Sequence, residues 1–149
     1  MTVWVDADGC PAEIRRIVEK AAVRLGIAAV FVAARPVEVA AEPGIRFVLV
    51  PQGQGSADSR LLAAARSGDL AVTADIPLAA ALAAAGVDVV HPRGDVYTRD
   101  TVGERLAMRN LVTALRGQGI ETSGRRYRGG AHRFAAALDR ELSRRTRGR

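Results

Sequence analysis

Cysteine is almost absent: Cys10 is the only one in 149 residues. No intramolecular disulfide can form, and a reducing, cytoplasmic setting is expected. Aromatic residues make up 4% of the chain. Base-stacking platforms are therefore scarce, and any contact with a polynucleotide should fall on its backbone. Long apolar runs are also missing. The longest weakly charged stretch, Ile76 to Val87, is alanine-rich and too short to cross a bilayer, so no membrane partner is expected. Met1 is not followed by a basic and then an apolar segment, which argues against a signal peptide. Lysine is confined to Lys20; every other basic residue is arginine.

What remains is 48% hydrophobic, enough for the core of one domain. The net charge of +6 is unevenly placed. Up to Ile120 the chain is neutral, and from Glu121 onward there are nine arginines against three acids. Such a segment favours phosphate-bearing partners through counterion release. It can equally be a solvated, disordered tail, above all over Ser143 to Arg149.

Apolar runs at Thr2–Val5, Ala28–Ala33, Phe47–Val50, Leu70–Thr73 and Val87–Val90 read as strands. Helical spacing follows Pro11 as far as Leu25, with Gly26 as a stop. Ser56 can cap a second helix through Ala65, and Asp75-Ile76-Pro77 opens a third that runs to Gly86. Thr101 to Glu104 has capping-box spacing ahead of a helix through Leu115, and a last amphipathic helix is expected over Ala131–Leu142. Gln118 to Gly130 is the most loop-like stretch. Strands apolar on both faces, alternating with helices, predict an α/β fold: three layers, α/β/α, around a mostly parallel sheet.

In such sheets ligands bind beyond the carboxyl ends of the strands. Asp6 and Asp8 follow the first strand, Asp75 follows the Leu70 strand, and Asp58 opens the helix after the Phe47 strand. Convergence of these acids would create repulsion that a cation relieves, and hard oxygen ligands suit Mg²⁺ or Mn²⁺. One or two such ions can activate water against a phosphoryl group. Each acid also has a plainer use: Asp75 as a helix N-cap, Asp58 as first-turn charge, Asp8 in the Gly9 turn. Arg93, in His91-Pro92-Arg93-Gly94, stands where it can meet a phosphate or simply form a turn. Cys10 lies at a helix start but has no histidine near it in sequence, which favours packing over catalysis.

A strand followed by Asp-x-Asp-Gly resembles the first motif of haloacid-dehalogenase-type phosphatases. Those enzymes also use a downstream lysine and an acidic pair. Here Lys20 sits in the first helix, and no Asp-Asp pair occurs.

Val5-Asp6-Ala7-Asp8-Gly9-Cys10-Pro11 resembles the VDADACP opening of the YaiI/YqxD family, and Gly68 to Ala79 resembles its GDLVITADIPLA signature. Pro92-Arg93-Gly94, Tyr97-Thr98, Glu104-Arg105-Leu106 and Met108-Arg109 continue the likeness, as do Leu115-Arg116 and Gly119, over about Thr2 to Leu138. The resemblance implies a bacterial PIN-like α/β/α domain and suggests a Mg²⁺- or Mn²⁺-dependent nuclease; the chain is expected to form one such domain over 1–142 with a basic tail at 143–149, and RNA is the expected substrate. Asp6, Asp58 and Asp75 would be catalytic and hold the metal, with Asp8 as a further ligand. Arg93, Arg125 and Arg126 would hold the substrate backbone. Gly55 stands where relatives usually carry another Asp, and Gly130-Ala131 replaces a common Asp-Arg pair. Another reading is a non-catalytic module that binds nucleic acid or a nucleotide through the arginine-rich C-terminal region.

Overall fold

The computed structural model describes residues 1–53, 55–101 and 130–147. The helix expected before Leu115, the loop-like stretch up to 129, and Arg125 and Arg126 lie outside them.

The chain opens with β1 (Thr2–Asp6) and a single 3-10 turn (Ala7–Gly9), which leads into α1 (Ala12–Leu25). Ile14, Val18, Ala21 and Ala22 form its buried face. Gly26 stops it in the left-handed region at φ 66°, and the Ile27 N–H reaches back to the Ala22 carbonyl at 3.0 Å. Next come β2 (Ala28–Ala33), β3 (Ile45–Leu49), α2 (Ser56–Ala64), β4 (Leu70–Val72), α3 (Ile76–Ala84) and β5 (Asp88–Val90). The two-residue β6 (Val96–Tyr97) and α4 (Gly130–Arg147) complete the described elements.

The six strands lie in the order β3-β2-β1-β4-β5-β6. All neighbours are parallel except β6, which turns back antiparallel on β5. Strand order reverses between β1 and β4. That reversal opens a crevice beyond their carboxyl ends, the usual place for a ligand in a sheet of this type.

Alternation along the strands splits the core in two. Val3, Val5, Phe31 and Val72 pack against Ile14 and Val18 of α1 and Phe134 and Leu138 of α4. Val30, Val32, Ala71 and Val89 pack against Leu61 of α2 and Leu78 and Leu82 of α3. The three-layer α/β/α arrangement expected from the sequence is therefore what forms. Burying Phe134 alone contributes roughly 1.5–3 kcal/mol to docking α4.

Two local expectations are corrected and one strand is added. Gly55, not Ser56, occupies the cap of α2, with φ 83°. The short β6 is legible only once β5 is there to pair with it. And α4 continues past Leu142 to Arg147, so residues 143–147, read as a disordered tail, are helical. Ion pairs hold this last turn: Arg145 bridges Asp88 of β5 at 2.6 Å and Glu141 at 2.9 Å, and Arg144 also pairs with Glu141.

Candidate active site at the strand-order reversal

Asp6 is the last residue of β1 and is 7% exposed. The register that pairs Val5 with Val72 brings Thr73 beside it. The Thr73 hydroxyl, itself fully buried, donates to Asp6 Oδ2 at 2.8 Å. Among the described residues this is the carboxyl group's only hydrogen-bond partner. Burial pushes the Asp6 carboxyl up to about 6; the Thr73 bond opposes the rise, and the charges of Asp58, Asp75 and Asp8 add to it.

The other three acids reach the same edge from different elements. Asp58 lies half-buried in the first turn of α2, and burial and then the charge of Asp75 raise its pKa. Asp75 caps α3: its Oδ1 accepts from the Leu78 N–H at 3.0 Å, the plainer role open to it from sequence. Asp8 turns away towards the end of β2, where it accepts from the Ala34 N–H at 2.7 Å and lies 3.6 Å from Arg35 Nε.

Asp6 thus feels the charge of the other three acids, and Asp58 that of Asp75. Among the described residues, however, no three acid, histidine or cysteine side chains stand close enough to grip one ion between them. Electrostatic coupling extends further than coordination, so the two findings agree. The donor chemistry fits Mg²⁺ or Mn²⁺, which commonly take one or two carboxylates and keep several waters. Asp6 and Asp58 are the least committed of the set. Asp58 has no hydrogen-bond or ion-pair partner among the described residues.

A family model described as an uncharacterized bacterial YaiI/YqxD family matches residues 4–144. The chain belongs to that family. It is 48% identical to a UPF0178 protein of Treponema pallidum, over 96% of this chain and 82% of the relative. It is 44% identical to one of Bordetella bronchiseptica over 100% and 94% of the two chains. A third, from Syntrophotalea carbinolica, is 42% identical over 97% and 99%. No solved structure matches.

Within this YaiI/YqxD chain, Arg93 stands exposed in the turn after β5, on the same edge of the sheet as the acids. That turn is built on His91, a residue the sequence reading left without a role. The His91 Nδ1 accepts from the Arg93 N–H at 3.0 Å, which leaves the ring proton on Nε2. Burial drives its pKa down to about 4, and Arg93 lowers it further; Asp95 and a hydrogen bond with the Ala74 backbone pull the other way. His91 is therefore neutral. Its ring meets Tyr97 edge-on at 6.2 Å. Thr73 was likewise missed; its only signal is a hydroxyl at the end of an apolar strand. Cys10 is buried and its thiol is pushed up to about 12, by burial first and then by Asp6. The packing role expected for it holds, since a thiol of that kind is no nucleophile.

Proposed function

We propose that this YaiI/YqxD protein is a Mg²⁺- or Mn²⁺-dependent phosphodiesterase that cleaves RNA. One observation carries the reading. A carboxyl group is buried at the strand-order reversal and raised to about 6 in the company of three other acids. Holding it ionised at neutral pH costs stability, and packing alone gives no reason to keep it. Groups displaced in this way concentrate at functional sites.

Asp6 and Asp75 would hold the ion, with Asp58 orienting the attacking water, since no three of these side chains stand close enough to share one ion among the described residues. Asp8, committed to Ala34 and Arg35, is the weakest ligand of the four. A divalent cation bound there supplies a Lewis acid for the phosphoryl oxygen and lowers the pKa of a bound water. Arg93 is placed to meet a substrate phosphate. Arg125 and Arg126 belong to the same reading, outside the described residues. The low aromatic content favours backbone contacts over base readout.

The alternative, a module that binds through its arginine-rich end, loses part of its support. Arg144 and Arg145 are already engaged by Glu141 and Asp88.

The test is cleavage of single-stranded RNA with Mn²⁺ by the wild type and by Asp6→Asn. The variant keeps an oxygen for Thr73 but removes the charge. Cleavage should need the metal and vanish in the variant while its unfolding transition persists. Cleavage that survives in Asp6→Asn, or in excess chelator, overturns the mechanism.

A further inference from the structure

We propose that the face made by α1 and α4 docks the phosphate backbone of single-stranded RNA along the groove between the two helices. The inference takes its substrate class from the function proposed above, but it does not depend on the chemistry.

The charge of the described helices is segregated by layer. On one side of the sheet, α1 and α4 carry nine arginines and lysines against four carboxylates. On the other side, α2 carries one of each sign and α3 none. The net positive charge of the described helices therefore belongs to a single face.

Within that face the cations are ordered. Arg16, Lys20 and Arg24 are all exposed and recur at every fourth position of α1. They form one stripe, with successive side chains about 6 Å apart along the helix axis. Like charges at this spacing destabilise a helix slightly. Among the described residues Arg16 and Lys20 have no ion-pair partner, and Arg24 meets only Asp139, across an exposed pair at 3.1 Å. Among the described residues, then, Asp139 is the one acid that pairs with the stripe.

Beside it runs a groove of about 490 Å³. Ile17 and Ala135 contribute to its apolar lining, and Lys20, Arg24, His132 and Asp139 supply polar groups. A concave, cation-lined channel suits a narrow polyanion better than a flat bilayer, which would call for protruding apolar side chains. The stripe also leads towards the acids, because α1 begins directly after the turn that carries Asp8. A strand lying along α1 therefore points to the crevice at Asp6.

The experiment measures fluorescence anisotropy of a labelled mixed-sequence oligoribonucleotide, titrated with the full chain in excess chelator over a range of salt. Chelator removes metal-dependent cleavage, so a failure of docking stays distinct from a failure of the nuclease reading. The triple variant Arg16→Gln/Lys20→Gln/Arg24→Gln should bind about ten-fold or more weakly, with the salt slope reduced by about 2. Asp139→Asn removes the one acid in the groove and should tighten binding a few-fold. Arg46→Gln, on the edge strand β3, should change nothing. All of these positions are exposed, and an unchanged unfolding transition verifies each variant. Unaltered affinity and slope in the triple variant overturn the proposal. So does a wild type that ignores RNA yet binds phosphatidylserine vesicles through the same three residues.

Discussion

The Thr73 hydroxyl joins Asp6 to Asp75: it donates to Asp6 Oδ2 at 2.8 Å and accepts from the Asp75 N–H at 3.0 Å. One buried oxygen therefore fixes both the carboxyl group that ends β1 and the first residue of the α3 cap. The two acids farthest apart in sequence that matter most to the candidate site share a single hinge point.

Thr73→Val keeps the shape and removes the bridge. It leaves the Asp75 N–H without its acceptor and should cost about 1–3 kcal/mol in denaturant unfolding. The Thr73 bond lowers the Asp6 pKa, so the variant should titrate Asp6 above its present value of about 6, as read by carboxyl NMR. Thr73→Ser should restore both quantities. A titration that does not move would show that the bridge leaves the Asp6 charge untouched.

Asp6 and His91 should oppose each other in their effect on stability with pH. The folded pKa of Asp6 is raised, so the folded state holds its proton more tightly than the unfolded chain, and stability falls as pH rises from about 4 to about 6. His91 is lowered to about 4, so its neutral form is favoured by folding; stability is lost as pH falls from 6.5 towards 4. Asp6→Asn should therefore be more stable than wild type at pH 7 by about 1–3 kcal/mol, with the gain gone below pH 4. Relative to wild type, His91→Gln should lose the acid-side decline. Thermal unfolding at half-unit pH steps checks both, and identical pH profiles for all three proteins would refute the pair.

Asp75 has a cap role that can be separated from a metal role. Asparagine caps helices as well as aspartate does, so Asp75→Asn should change stability by less than about 0.5 kcal/mol, whereas Asp75→Ala should cost about 1 kcal/mol. If Asp75 also holds the ion, the rise in melting temperature with Mn²⁺ should weaken in Asp75→Asn despite the intact cap. An undiminished Mn²⁺ response in that variant would leave Asp75 as a cap alone.

Asp69 serves the opposite end of the sheet. Its carboxylate accepts from the Thr2 N–H at 3.0 Å, the Trp4 indole at 2.9 Å and the Arg66 N–H at 3.0 Å. Asp69→Ala should cost about 2–4 kcal/mol and shift the emission of Trp4, the single tryptophan. Mn²⁺ binding should stay as it is, because the metal candidates lie at the other edge. Loss of the Mn²⁺ response in a folded Asp69→Ala would mean that the two edges are coupled.

The acids of the candidate site were legible in the sequence because a general rule places them. Apolar strands alternating with helices give a parallel sheet, and residues just after such strands gather at one edge. Thr73, His91 and Asp69 were not legible, because nothing local marks them. Thr73 matters only once the β1–β4 register sets it beside Asp6, a partner 67 residues away. Asp69 likewise finds Trp4 across 65 residues.

The sequence by itself determined the layer architecture, the stop of α1 at Gly26 and the separation of charge along the chain. Periodicity, caps and composition are local properties, and they act wherever the chain happens to fold. Only the tertiary structure decided what each charge meets. It set Asp8 on Ala34 and Arg35, engaged Arg145 with Asp88, and raised Asp6 by burying it beside other acids. The energy of a charge depends on its surroundings in space, and those exist only after the strands have paired.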